Sequence, residues 1–298
     1  MMGAVLSDVV GVLICPVCSA GLEPRGGSLG CVNGHRFDIA RQGYVNLLTG
    51  APHTGTADTP EMVRAREAFL SAGHFAPLAE AVADAVPYGP GLVVDAGAGT
   101  GYYLAEVLDR RPEAAGLALD VSKHALRRAA RAHERAGAVV WDVWRPLPIR
   151  DGAATAVINV FAPRNGPEFR RVLGPGGVLV VVTPTPGHLR ELVGRLGLLS
   201  VDERKEARTA AALSGFAPRR RRLTEFPVRL ARADVAAVVL MGPSAWHVDP
   251  GRLGEDVAAL PEPLEVTASF HVSEYVPESG GVPQTGGVPE SGRVPDSG

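Results

Sequence analysis

The chain has 298 residues, 46% of them hydrophobic, and a formal net charge of −2, which is enough apolar material for one or two packed domains. That balance excludes a uniformly basic nucleic-acid-binding chain, although a local basic face could still serve. No apolar run reaches the ~18 residues of a bilayer span, and Val9–Ile14 follows Asp8 without a basic stretch before it, so neither a membrane anchor nor a signal peptide is expected and the cytoplasm is the expected compartment.

Four zones follow in chain order. Residues 1–50 hold all three cysteines, in Cys15-Pro-Val-Cys18 and Cys31-Val-Asn-Gly-His35. An odd, clustered set argues against a disulfide framework. Thiolate and imidazole are the donors Zn²⁺ prefers, and two close pairs separated by a loop supply a closed four-ligand site. Cys15, Cys18, Cys31 and His35 are therefore the expected ligands of a structural zinc that folds a segment too short to fold by burial alone. Residues 51–60 read as a linker. From 61 to 275, apolar β-branched runs alternate with helical stretches, the pattern of a βαβ sheet.

Within that domain Asp58-Thr-Pro-Glu61 opens a helix of about 61–72, with Asp58 as the capping-type acid, and a second helix covers 76–86. Strands are expected at 92–96, 116–120, 138–142, 154–161 and 178–183, with helices at 101–110 and 122–135. An antiparallel pair at 219–231 and 264–275 is expected to close one sheet edge. Residues 276–298 repeat Val-Pro-x-Ser/Thr-Gly every six residues and cannot bury a core.

Asp95-Ala-Gly97-Ala-Gly99-Thr100-Gly101 follows the apolar strand Leu92-Val-Val-Asp95. Small residues let the backbone approach a ligand at the start of the next helix. Alternating glycines after a strand-terminal acid differ from the dinucleotide pattern G-x-G-x-x-G and suit a ligand without a pyrophosphate. The turn resembles the first motif of class I methyltransferases, where it cradles the methionyl part of S-adenosylmethionine. Asp120, ending the next strand, is placed to accept the ribose hydroxyls, and Asp142, ending the one after, to meet the adenine edge.

The larger pattern resembles the 23S rRNA guanine-N1-methyltransferases, including the macrolide (tylosin) resistance enzymes. The likeness spans about 13–275. It rests on the Cys/His cluster, Gly43-Tyr-Val-Asn-Leu-Leu48, Arg64-Ala-Arg-Glu-Ala-Phe-Leu-Ser-Ala-Gly-His-Phe75, Phe161-Ala-Pro163, Thr183-Pro…His188 and Met241-Gly-Pro…Trp246. The resemblance implies a class I (Rossmann-like) α/β domain with a seven-stranded, mostly parallel sheet and a small N-terminal zinc module. It also implies Phe75, Gly99, Thr100 and His188 as cofactor contacts and a 23S rRNA hairpin loop as partner. A homodimer is left open.

Basic residues cluster at Lys123–Arg135 and Arg219–Arg222, with Arg25, Arg36 and Arg41 near the zinc segment. The latter two groups are the expected phosphate contacts. Phe161-Ala-Pro163 is expected to position the target base. Asp142 and Asp58 are the candidates to accept the guanine N1 proton, Asp58 the lesser because helix capping already accounts for it. Two alternatives stand beside this: a methyltransferase acting on a small molecule or another RNA, and an inactive zinc-ribbon RNA-binding protein.

Overall fold

A computed structural model of the chain describes Leu6 and residues 9–51, 57–196, 205–246 and 249–278. Residues 52–56 of the expected linker and the repeat from 279 onward, though not its start at 276–278, lie outside the described residues. A small antiparallel sheet joins β1 (Glu23–Pro24), β2 (Ser28–Gly30) and β3 (Arg36–Asp38). The large sheet runs, in spatial order, β10 (Phe216–Leu230), β11 (Leu264–Pro277), β9 (Leu173–Pro184), β8 (Ala154–Val160), β5 (Gly91–Ala96), β6 (Ala114–Asp120), β7 (Ala136–Val140) and β4 (Val45–Asn46). The strands from β9 to β4 are parallel, whereas β11 is antiparallel to both neighbours.

The sheet thus has eight strands, not the expected seven. The addition is β4, which pairs Val45 with Val139 and Asn46 with Val140. A two-residue strand has no periodicity of its own, so local pattern cannot reveal it. The other seven fall where alternation of apolar runs and turns placed them. They are legible because the central strands are buried on both faces and read as continuous apolar runs.

Those faces hold two apolar layers. Along β5, Val93 points into one layer while Leu92, Val94 and Ala96 point into the other. The first layer is covered by α1 (Pro60–Ser71), α2 (Ala76–Ala85), α3 (Tyr102–Arg110) and α4 (Lys123–Ala129), and by α8 (Arg232–Leu240) and α9 (Pro250–Ala258). The remaining helices are α5 (Gly166–Val172), α6 (Arg190–Leu196) and α7 (Lys205–Ala212). The second layer is covered by α5 and by the cysteine-bearing segment: Leu13, Leu22, Leu29 and Leu47 pack with Leu117, Val139 and Ile149 in one continuous core. Leu13 also bridges to Ile149 through the backbone. At about 1.5–3 kcal/mol for each fully buried leucine, the metal-bearing segment is an integral wall of the domain.

Two helices differ from expectation. Helix α1 is capped by Thr59, whose hydroxyl accepts from Met62 N–H at 3.3 Å, and not by Asp58, which is drawn away to Arg66. Helix α4 ends at Ala129 rather than near 135, because Arg135 turns back to donate to the carbonyls of Leu108, Arg111 and Ala114.

Candidate cofactor pocket and metal centre

The zinc module brings its four expected ligands together. Donor atoms of Cys15, Cys18, Cys31 and His35 all lie within 4.8 Å of one another. Cys18 Sγ and Cys31 Sγ are 3.7 Å apart, and His35 Nδ1 is 3.6 Å from Cys15 Sγ and 3.4 Å from Cys31 Sγ. A tetrahedral zinc with bonds of ~2.3 Å to sulfur and ~2.0 Å to nitrogen separates its ligands by roughly 3.5–3.8 Å, so the donor set fits that ion. The Cys18 thiol is lowered to about 6, first by the Ala20 backbone amide and then by Asn33, which favours the thiolate a metal requires.

The second site sits where the order of the parallel strands reverses. Strand β5 has β6 on one side and β8 on the other, and a doubly wound sheet binds ligands outside the carboxyl ends of its strands at such a point. The turn after β5 folds by donating Gly97 and Ala98 N–H to the Leu119 carbonyl at 2.8 and 2.9 Å. Gly97 and Gly99 have φ of +87° and +54°, and a Cβ on Gly97 would fall 2.3 Å from the Ala162 Cβ. Both positions need glycine for conformation and for space. Asp120 organises the turn as well: its carboxylate accepts Gly99 N–H and Ser122 N–H, each at 2.8 Å.

Asp95 is the most unusual group here. It is 1% exposed, and neither carboxylate oxygen has a hydrogen-bond partner among the described residues. Burial first, and Asp120 second, push its carboxyl well above the ordinary range. An unpaired buried carboxylate costs free energy unless a ligand completes it. A ligand ammonium could donate to those oxygens, and a neighbouring sulfonium would be favoured by the negative charge. Asn159, fully buried in β8, donates to Ala96 O at 2.9 Å and Pro163 O at 2.8 Å, fixing the loop that follows.

Phe75 and His188 are brought together in an aromatic cluster. The Phe75 ring lies 4.9 Å from Phe69, 5.1 Å from Phe270 and 6.0 Å from His188. Phe75 is 1% exposed, so its ring faces mainly other rings, whereas His188 is partly exposed. Phe161 joins the cluster, 5.4 Å from Phe270. Asp142 is buried and accepts Trp144 N–H at 3.0 Å. Thr100 and Gly101 complete the turn, with Thr100 8% exposed.

The basic groups separate. Arg128 pairs with Glu67 at 2.8 Å, and Arg135 serves backbone carbonyls, so half-hidden structural roles absorb two members of the first cluster. Arg219–Arg222 lie on β10, at the sheet edge opposite β4, with the other six strands between. Arg36 and Arg41 are exposed on the zinc side. Sequence reading missed Trp144, exposed on the loop after β7, and Arg66 beneath the glycine turn. The first has no pattern signal; the second hid in an ordinary amphipathic helix.

Two family models match parts of the chain. A zinc-ribbon model described as the N-terminal part of RlmA matches residues 13–50, and a methyltransferase-domain model matches residues 93–177. A relative from Micromonospora griseorubida, provisionally named a 23S rRNA (guanine-N1)-methyltransferase, is 56% identical over 91% of this chain and 99% of its own length. The 23S rRNA (guanine(748)-N1)-methyltransferase of Streptomyces fradiae is 52% identical over 88% of this chain and 95% of its own. A provisionally named 23S rRNA (guanine-N1)-methyltransferase of Bacillus subtilis (strain 168) is 30% identical over 80% and 88%. With such likeness along nearly the whole of each relative, the chain belongs to the 23S rRNA (guanine-N1)-methyltransferase family.

Proposed function

We propose that the protein transfers a methyl group from S-adenosylmethionine to N1 of a guanine in a 23S rRNA hairpin loop, the guanine for which the Streptomyces fradiae relative is named, and thereby contributes to macrolide resistance. The observation that carries the chemistry is Asp95, buried and without a hydrogen-bond partner beside the left-handed glycine turn. Likeness to the relatives through the zinc ribbon as well as the sheet supports the RNA substrate.

The cofactor supplies a methyl group on a positively charged sulfur that leaves as a neutral thioether. The chain's part is positioning, which accounts for most of the acceleration in such a displacement. Asp95 would meet the cationic methionyl end, and Asp120, which already accepts two amides, would use its remaining lone pairs for the ribose. Phe161, 44% exposed with φ of +55°, is held in a conformation that non-glycine residues seldom adopt. It presents a ring on which the target guanine can stack. Asn159 holds that loop from below through Pro163. Asp58 is committed to Arg66 and Asp142 to Trp144, so no side chain is assigned to take the N1 proton.

No helix among the described residues is long and apolar enough to cross a membrane. Arg36 and Arg41, exposed in the segment that carries the metal ligands, favour that side as the RNA-gripping face, and Trp144 is exposed on a loop whose Arg145 donates to the Thr49 and Ala51 carbonyls. The test is transfer of labelled methyl from S-adenosylmethionine to protein-free 23S rRNA by the zinc-loaded enzyme. Label on the RNA that disappears with Asp95→Ala supports the proposal; label that goes only to small molecules refutes the RNA substrate.

A further inference from the structure

We propose that Arg66 is the carboxylate-binding residue of the cofactor pocket, pairing with the α-carboxylate of the methionyl group while Asp58 holds the guanidinium in place. The proposal rests on the S-adenosylmethionine reading of the pocket and adds a residue to it.

The geometry places Arg66 at the turn from below. A Cβ built on Gly99 would lie 3.0 Å from Arg66 Nη1, so the guanidinium occupies the space that glycine leaves open. Nη1 is ion-paired with Asp58, and Nη2 donates to the Met241 carbonyl at 2.8 Å. Asp58 is itself anchored, because its carbonyl accepts the Ser122 hydroxyl at 2.9 Å, and Ser122 N–H is bound to Asp120. One short chain of contacts therefore links Arg66 to the acid expected to hold the ribose. The Arg66 side chain is only 25% exposed.

Charge makes the assignment specific. The pocket presents Asp95 and Asp120, and Asp58 lies alongside. The ligand carries two cationic centres and one carboxylate. Acids satisfy the cations, but they repel the carboxylate unless a guanidinium meets it. Arg66 has five N–H groups in a planar fork, and the described contacts use two of them. The others remain for a planar anion, the geometry in which arginine binds carboxylates best. The competing role is purely architectural: a strap tying the residues before α1 to the end of α8.

Binding of two ligands separates these roles. S-adenosylmethionine and its decarboxylated form share the adenosine, the sulfonium and the amine, and differ in the carboxylate. Isothermal titration of each into the full-length, zinc-loaded protein should show wild type preferring the carboxylated ligand by about 10- to 100-fold. Arg66→Ala should lose that preference or reverse it, because Asp58 is left unopposed, with affinity for the decarboxylated form close to that of wild type. Arg66→Gln, which keeps a donor for Met241, should show the same loss or reversal and serves if the alanine variant does not fold. Equal binding of the two ligands by wild type, or a preference retained in both variants, overturns the assignment. Failure of wild type to bind either ligand instead overturns the cofactor reading itself.

Discussion

The two edges of the large sheet are finished by different means. At one edge, β4 and the metal-bearing segment close the sheet with two paired residues and a shared core. At the other, β10 and β11 form a long antiparallel ribbon paired from Phe216–Pro277 to Leu230–Leu264, with exposed arginines along the outermost strand. A long ribbon holds itself together through its own ladder and needs no metal. A two-residue strand cannot, so the first edge depends on ligands brought together from 15 to 35. The difference assigns distinct expectations to the two edges: the zinc edge should be fragile and close to function, and the ribbon edge robust and dispensable for chemistry.

The largest effect should come from removing the metal. Cys18→Ser, or a strong chelator, should lower the thermal midpoint by about 10 °C or more, because it unseats leucines of the common core. Arg219→Ala with Arg221→Ala on the ribbon should leave the midpoint within a few degrees, as surface substitutions do. Comparable losses at both edges, read by scanning calorimetry, would erase the contrast.

Next in size is Asp95→Asn, which should weaken S-adenosylmethionine binding about tenfold or more while raising the stability of the ligand-free protein. The sign follows from the raised carboxyl. A folded-state value above the unfolded one favours folding at acid pH and costs stability as pH rises above the ordinary carboxylate value of ~4. Wild type without ligand should therefore lose stability relative to Asp95→Asn as pH is raised from about 4 towards neutrality. Parallel melting curves across that range would contradict the buried, uncompensated acid.

Much of this was open to sequence reading. The glycine turn, the acids at successive strand ends and the metal ligands announce themselves by spacing, because their chemistry fixes local geometry. The misses share a cause: each is a side-chain or strand contact that local periodicity does not encode. Strand β4 exists only because β7 offers an edge; α4 stops where it does because Arg135 finds three carbonyls; Asp58 leaves its capping position because Arg66 lies eight residues on. The Arg219–Arg222 run looked like an RNA contact by composition, yet the topology sets it at the far edge from the zinc ribbon.

Two smaller effects sharpen the contrast in RNA binding. Phe161→Ala should reduce turnover on rRNA by about 10- to 100-fold, in line with 1–3 kcal/mol for a base stacked on an aromatic ring, with cofactor affinity unchanged in titration. A matching loss of cofactor affinity would assign Phe161 to the pocket wall. Arg36→Ala with Arg41→Ala should weaken rRNA binding and reduce its salt dependence, whereas Arg219→Ala with Arg221→Ala should change either quantity less. The reverse order in filter-binding assays would move the RNA to the ribbon edge.

The most direct test is reverse transcription of 23S rRNA treated with the purified enzyme and S-adenosylmethionine, since a methyl on guanine N1 blocks the pairing face and halts the polymerase. The account predicts one strong stop, at a single hairpin-loop guanine, absent with Asp95→Ala. No stop in RNA that has nevertheless acquired labelled methyl, or stops at many unrelated positions, would contradict it.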